Sequence, residues 1–324
     1  VRQRKGVASV TDAEDRAAWG LRGQGMPLWH NIGELMDYYI PPMPSVYWID
    51  ITRLCNLKCV MCPQSRGLAQ RGAKMSMDLF RRIIDDVGEN QPLIKLYLSG
   101  EPLLHDRLFD MIDYATVSGC RTMLHTNATV LTKEMSRRIL SSSLSFLSFS
   151  FDGCTPEVYE KLRPPARFDR VRANILQYLE LRGQNGDAGP HTTMEILRMR
   201  ETETFIDDFV SEWEGSGVDD VHVADYMMWH DTVEDRRVES ASDGEGYNPC
   251  AAPFRHGCIL ADGTVVPCCM DFNGQMPLGN VTRHRFRDIW FNNSYRQLRL
   301  QMLTGSVPAG SICDRCCNTF RELT

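Results

Sequence analysis

The chain has 324 residues, 43% hydrophobic and 24% charged, the composition of a soluble globular protein; at roughly 150 residues per domain this is about two units, not a lone peptide-sized module. Its 36 Lys and Arg against 42 Asp and Glu leave a net charge of −6, which excludes a chain-wide basic field for gripping nucleic acid. No apolar run approaches the roughly 18 residues of a membrane span, and the basic start at Val1–Gly6 leads into polar residues where a signal peptide needs an apolar stretch, so a cytoplasmic protein without membrane or nucleic-acid partners is expected.

Residues 1–44 read as an amino-terminal arm, polar apart from an amphipathic helix over Ile32–Tyr39 that Pro41, Pro42 and Pro44 end. From 45 to 226, short β-branched or aromatic runs alternate with longer stretches of helical period. The expected strands are Val46–Ile51, Ile94–Leu98, Arg121–Thr126, Phe146–Phe151, Thr192–Arg198 and Val221–Tyr226. Helices between them include Met77–Val87, with Met77, Phe80, Ile83, Ile84 and Val87 on one face, and Thr202–Glu214, with Phe205, Ile206, Phe209, Val210 and Trp213. Crossovers of this length keep strands parallel, an α/β arrangement whose chemistry collects on loops at the carboxyl ends of the strands.

Residues 227–245, polar and rich in Gly, Asp and Glu, read as a linker. Residues 246–324 read as a small α+β domain with short strands at Cys258–Leu260 and Val265–Pro267 and turns at Asp262-Gly263 and Asn273-Gly274. One helix is expected over Phe286–Met302, and Arg283, Arg285, Arg287, Arg296 and Arg299 read as a solvated face.

Twelve cysteines are unusual for such a chain, and they cluster at 55, 59 and 62, then at 120 and 154, then seven times between 250 and 317. A reducing compartment makes metal ligation likelier than disulfides. Cys55-Asn-Leu-Lys-Cys59-Val-Met-Cys62 follows the first strand directly. Three thiolates on one loop suit three corners of a cubic iron-sulfur cluster, leaving the fourth iron open; a zinc knuckle or buried free thiols are the alternatives, though no paired fourth ligand lies nearby. Gly100 admits a close backbone approach and Glu101 offers a carboxylate to an ammonium group, or the pair simply ends a strand. Arg163 can pair with a carboxylate, although Pro164 and Pro165 equally suit a surface turn. Cys250, Cys268, Cys313 and Cys316 are the right number for a fully ligated cluster, and four thiolates suit zinc equally well.

Cys-x3-Cys-x2-Cys at the end of the first strand resembles the radical S-adenosylmethionine enzymes. Leu98-Ser-Gly-Glu-Pro102, Thr126-Asn127, Ser148-Phe-Ser-Phe-Asp-Gly153 and Arg163 match that family's later motifs in order. The carboxy-terminal cysteines, with Asp262-Gly263, Leu278-Gly279-Asn280-Val281 and Ile289-Trp290, resemble its SPASM or twitch extension. The resemblance implies a partial (β/α)6 TIM-like barrel over 45–226 and a SPASM/twitch domain over 246–324. It implies a SAM-binding 4Fe-4S cluster on Cys55, Cys59 and Cys62, one auxiliary 4Fe-4S cluster on Cys250, Cys268, Cys313 and Cys316, and S-adenosylmethionine held by Gly100, Glu101, Asn127, Ser150 and Arg163. The cofactor would yield a 5'-deoxyadenosyl radical that abstracts hydrogen from an unactivated C–H, fed by an external donor such as flavodoxin or ferredoxin.

Substrate is argued by exclusion. Peptide-modifying relatives commonly carry an amino-terminal recognition domain larger than the 44-residue leader, so a small sugar or aminocyclitol of antibiotic assembly is expected, with a peptide maturase as an alternative. Cys154, after Asp152-Gly153, is expected to face the reaction chamber and quench a substrate radical, giving epimerisation; without such a quench, loss of a proton and an electron gives a ketone. Cys120, Cys258, Cys269 and Cys317 read as filler or cluster neighbours. A non-catalytic iron-sulfur or zinc binding protein is the reading from another class, and it predicts no 5'-deoxyadenosine.

Overall fold

Alternating burial along each strand organises the molecule. The structure, a computed structural model, describes residues 40–67, 73–227, 229, 233–238, 249–314 and 316; the helix expected at Ile32–Tyr39, and Cys317, lie outside them. Six parallel strands, β1 (Val46–Ile49), β2 (Leu93–Lys95), β3 (Arg121–Thr126), β4 (Phe146–Ser150), β5 (His191–Arg198) and β6 (Asp220–Asp225), pair in sequence order. Tyr47, Ile49, Ile94, Leu124, Leu147, Phe149, Met194 and Ile196 are fully buried on one face of this sheet. The alternate positions include Lys95, His125, Ser150 and Glu195, which are half-buried and polar.

The crossovers carry α1 (Met77–Val87), α2 (Leu108–Val117), α3 (Lys133–Leu140), α4 (Pro156–Leu162), α5 (Phe168–Gln184) and α6 (Ile206–Trp213). Helix α1 keeps its expected bounds because Ser76 accepts the Leu79 N–H as its cap and all five predicted apolar residues are buried. Thr132 and Thr155 cap α3 and α4 in the same way. Strands β1, β2, β4 and β6 end one to three residues earlier than expected, while β3 and β5 keep their expected carboxyl ends. Beyond β1, Ile51 and Thr52 leave the sheet to meet Lys74 and Met75, the Met75 N–H donating to Ile51 O at 2.8 Å.

The carboxy-terminal hairpin extends this same sheet. Strand β7 (His256–Ile259) pairs in parallel with β1, followed by antiparallel β8 (Thr264–Val265) and β9 (Gly279–Asn280). Gly257 permits the junction: a Cβ there would lie 2.3 Å from the Tyr47 ring, which stands edge-on to Phe286 at 5.0 Å. Helix α7 (Ala252–Arg255) precedes β7. The single helix expected over Phe286–Met302 is two, α8 (Phe286–Trp290) and α9 (Asn293–Thr304), because Asn292 accepts the Tyr295 N–H (2.9 Å) as an N-cap while donating to Leu278 O (2.7 Å). Arg299, expected on a solvated face, is 0% exposed.

Of residues 227–245, the described 233–238 pack on the loop after β5, where the Arg200 N–H donates to Arg236 O at 3.0 Å and Arg236 pairs with Glu234 at 2.7 Å. The described residues from Pro41 onward make up one compact unit. No helix among the described residues is long and apolar enough to cross a membrane.

Candidate active site

The three cysteines after β1 sit on a loop tied to the segment after α4: the Lys58 N–H donates to Pro164 O (2.7 Å) and the Val60 N–H to Leu162 O (2.9 Å). Cys62 starts a 3-10 turn over Pro63–Arg66, and Ser65 Oγ donates to Cys62 O at 2.7 Å. Cys55, Cys59 and Cys62 line one cavity of about 190 Å³. Burial pushes the Cys55 thiol up to about 11 and Cys59 to about 12 and raises Cys62, while the Arg163 cation opposes each shift. Three thiols that burial alone would hold protonated, converging on one wall, fit a cationic metal cluster, because coordination deprotonates a thiol outright.

Buried carboxylates stitch the strand ends around this cavity. Asp50 Oδ2, just past β1, accepts from Ser99 Oγ (2.7 Å) and Arg53 Nε (3.0 Å). Glu101 Oε1 accepts from Thr126 Oγ1 (2.7 Å) and the Leu103 N–H (3.0 Å), and Oε2 from the Asn127 N–H (2.8 Å), joining the β2 and β3 loops. Burial raises the Glu101 carboxyl pKa against the pull of these hydrogen bonds. Asn127 Nδ2 in turn donates to Asn56 Oδ1 at 3.2 Å, reaching back to the cysteine loop. Asp152 Oδ1 accepts the Leu197 N–H (2.8 Å) and Oδ2 accepts Arg163 Nε (2.9 Å). Burial works against the Arg163 charge, but Asp152, Cys59 and Tyr159 together outweigh this and raise the pKa.

Deeper in the sheet interior, Tyr97 stacks on His125 with centroids 4.1 Å apart, and His125 Nδ1 lies 3.5 Å from Glu195 Oε1. Burial pushes His125 down to about 3, with Lys95 and His222 adding to the shift, so the ring is neutral at pH 7. Burial also pushes Glu195 up to about 7; Asp152 adds to this, and Arg163 and Lys95 oppose it. Lys95 Nζ lies 4.3 Å from the Trp48 ring centroid.

Eight residues picked from the sequence meet at this one cavity: Cys55, Cys59, Cys62, Gly100, Glu101, Asn127, Ser150 and Arg163. The close approach that requires Gly100 is by the chain itself, since a Cβ there would stand 2.1 Å from Thr52 O and 2.7 Å from Leu54 O. The carboxylate that Arg163 finds is Asp152. Asp50, Ser99, Tyr97, His125 and Glu195 escaped the sequence reading; the available signal was period two, which puts Lys95, Tyr97, His125 and Glu195 on the polar face of their strands.

Cys154 is not brought to this group. Its Sγ donates to Phe205 O at 3.4 Å, just before α6, and the residue is outside the cavity wall. After β4 the chain turns at Gly153 against Tyr159, where a Cβ would lie 3.0 Å from the Tyr159 Cβ, and carries the thiol to the helix layer. The chamber-facing thiol expected from sequence therefore has no counterpart at position 154. Cys154→Ala is expected to leave the product and the 5'-deoxyadenosine yield unchanged when both are measured by mass spectrometry; a changed product ratio would return the thiol to the site.

In the carboxy-terminal region Cys268 interacts electrostatically with Cys250, Cys269 and Cys313, and Cys313 with Cys250. Burial raises Cys268 well above its ordinary value and Cys313 to about 12. The Cys316 N–H reaches Cys313 O at 3.5 Å, keeping the final pair in one turn. Among the described residues no three His, Cys, Asp or Glu side chains close on a single ion; thiolates that hold a cubane bind different irons and do not converge in that way. Cys258, 0% exposed on β7, and Cys269 complete the sulfur-rich region.

Residues 49–206 match the Radical SAM superfamily, and residues 250–317 match the SPASM iron-sulfur cluster-binding domain. The chain is 26% identical over 304 residues to the AdoMet-dependent heme synthase of Methanosarcina barkeri, covering 79% of this chain and 85% of that protein. It is 26% identical over 303 residues to the mycofactocin maturase MftC of Mycobacterium tuberculosis, covering 82% and 75%. Among solved structures, Streptococcus suis SuiB bound to S-adenosylmethionine superposes with a TM-score of 0.70 at 16% identity, covering 90% of this chain and 79% of that one. BtrN in complex with AdoMet and 2-DOIA superposes with a TM-score of 0.58 at 17% identity, covering 85% and 93%. At such identity these two structures share the fold with this chain, a partial TIM-like barrel with a carboxy-terminal extension.

Proposed function

Because the chain carries a radical S-adenosylmethionine domain and a carboxy-terminal SPASM domain, and so works with S-adenosylmethionine and 4Fe-4S clusters, we propose that it dehydrogenates a carbinol carbon of a small polar molecule such as a sugar or aminocyclitol. In this reading Cys55, Cys59 and Cys62 hold the SAM-binding cluster and Cys250, Cys268, Cys313 and Cys316 the auxiliary one. When bound, these groups supply the one-electron chemistry: a 5'-deoxyadenosyl radical for the carbon-bound hydrogen and an acceptor for the remaining electron. An external donor such as flavodoxin or ferredoxin provides the starting reductant.

The observation that carries the reading is Glu195, a half-buried carboxyl with a pKa near 7 that stands behind the cavity wall, its Oε1 3.5 Å from the neutral ring of His125, which is part of that wall. A base poised at the working pH is what proton removal from a substrate hydroxyl needs. Tyr97 and His125, which line the cavity, orient the hydroxyl, and its proton passes by way of the His125 ring to Glu195 Oε1. Glu101 Oε2, with one hydrogen bond already made, keeps an acceptor position for the cofactor's ammonium group. Asn127 and Ser150 line the same wall, and Arg163 brings positive charge beside the cysteines. Epimerisation would need a hydrogen-atom donor at the substrate, and the engagement of Cys154 with Phe205 O favours oxidation instead. A peptide substrate is the second reading, favoured by the alignment of 82% of this chain with a protein named as a mycofactocin maturase.

Anaerobic incubation with candidate sugars in deuterated water separates these outcomes. Dehydrogenation gives a product two mass units lighter; one deuteron gained on carbon would mean inversion and would reject the proposal. Glu195→Gln should keep 5'-deoxyadenosine release while product formation falls about 100-fold, the lower end of general-base effects. The wild-type product rate should rise with pH through about 7, as Glu195 ionises among His125, His222, Asp152, Arg163 and Lys95. A pH-independent rate, or an undiminished Glu195→Gln enzyme, would remove Glu195 as the base.

A further inference from the structure

Five arginines are buried among the described residues: Arg53, Arg163, Arg182, Arg236 and Arg299. Four of them meet a carboxylate: Arg53 with Asp50 at 3.0 Å, Arg163 with Asp152 at 2.9 Å, Arg182 with Asp219 at 2.7 Å and Arg236 with Glu234 at 2.7 Å. Arg299, on α9 and 0% exposed, makes no ion pair with a carboxylate among the described residues. Its Nε donates to Pro253 O (2.8 Å) and one terminal nitrogen to Trp290 O (2.7 Å), while the other terminal nitrogen is buried without a hydrogen-bond partner. The guanidinium carbon lies 4.1 Å from the Trp290 ring centroid and 4.5 Å from that of Tyr295. Burial pushes the Arg299 pKa down only to about 10, so it is a cation at pH 7.

A fully buried cation without a counter-ion costs several kcal/mol and is retained where an anion offsets it. Arg299 is linked to the auxiliary cysteine set through Tyr295 and Pro253. Tyr295, whose hydroxyl is also buried and unpartnered, interacts electrostatically with Arg299 and with both Cys258 and Cys268. Pro253, whose carbonyl Arg299 holds, is three residues beyond Cys250. We propose that Arg299 is the fixed counter-charge of the auxiliary iron-sulfur cluster, a positioning and tuning residue that raises the cluster's reduction potential; this rests on the assignment of that cluster to Cys250, Cys268, Cys313 and Cys316. Reduction adds a negative charge to the cluster, and a nearby cation in a low-dielectric surround stabilises the more negative state. The effect favours the cluster as an electron acceptor.

The test uses the full chain, reconstituted anaerobically with Cys55→Ala, Cys59→Ala and Cys62→Ala so that only the auxiliary cluster contributes to the spectrum. Iron content reads the ligand assignment and an EPR-monitored redox titration reads Arg299. Arg299→Gln should lower the one-electron equilibrium constant for reduction at least tenfold, a fall of about 59 mV, and Arg299→Lys, which keeps the charge, should restore most of it. Loss of iron from the Gln variant alone would also support a need for the charge. An unchanged potential in Arg299→Gln, an equal shift in both variants, or equal loss of iron from both would overturn the role of Arg299. A parent holding no iron would overturn the ligand assignment and this proposal with it.

Discussion

Alanine at Cys55, Cys59 or Cys62 should reduce 5'-deoxyadenosine formation to background and lower the iron content of the anaerobically reconstituted protein from about eight to about four, the content of one remaining 4Fe-4S cluster. The three thiols line one cavity, and its wall supplies no fourth cysteine to take over a lost corner. Substitution by serine keeps the size but not the soft donor that iron-sulfur clusters take, so it should fare little better. Radical generation depends on the site as a unit, and the three single variants should therefore be equally inactive instead of graded. Retention of 5'-deoxyadenosine release by any of them would place the first cluster elsewhere, and zinc in the wild-type site would support the non-catalytic reading.

Gly100→Ala should cost on the order of 3 kcal/mol of stability, the upper end for overpacking, and weaken S-adenosylmethionine binding about 100-fold, the scale of a displacement near 1 Å. The added methyl would stand 2.1 Å from Thr52 O and 2.7 Å from Leu54 O, both backbone atoms that no rotamer change can move. The Glu101 N–H donates to Leu54 O at 2.7 Å, so relief of the clash pulls Glu101 away from Thr126 and Asn127 and opens the β2–β3 stitch beside the cysteine loop. Thermal unfolding and isothermal titration with S-adenosylmethionine measure the two effects separately. Wild-type binding by a destabilised variant would show that Gly100 serves packing alone.

In the proposed reading the Glu195 carboxyl also carries a stability cost. It titrates near 7 in the folded chain and near 4.3 when unfolded. Between those values the unfolded chain gives up a proton that the folded one holds, so ionisation opposes folding increasingly as pH rises and fully above 7. Glu195→Gln should accordingly gain thermal stability at pH 8 and gain none at pH 4, even as product formation falls.

Much of the site was legible because its chemistry is local in sequence. The spacing of Cys55, Cys59 and Cys62 lies within one loop, Gly100-Glu101 and Asn127 follow strands whose apolar runs mark where a loop must begin, Ser150 ends β4, and Arg163 follows α4 directly. The cap and the apolar stripe of Met77–Val87 are set within a few residues, so that helix kept its bounds. The direction of Cys154 was not legible in this way, because it depends on how Gly153 packs against Tyr159 and on the carbonyl that Phe205 presents 51 residues away.

The amino-acid order by itself determined the α/β class and the cysteine triad of one loop, which rest on near neighbours, while the second cysteine set, spread from Cys250 to Cys316, and the cofactor chemistry were read through the family resemblance. Only the tertiary structure decided that β7 joins the barrel sheet through β1, that Glu101 and Asp50 serve as struts, that Glu195 and His125 meet inside, and that Arg299 is buried with no carboxylate partner among the described residues. Period two says which side chains share a face, but a sheet covered on both sides hides which face looks inward, and the partner of a buried charge comes from a distant part of the chain.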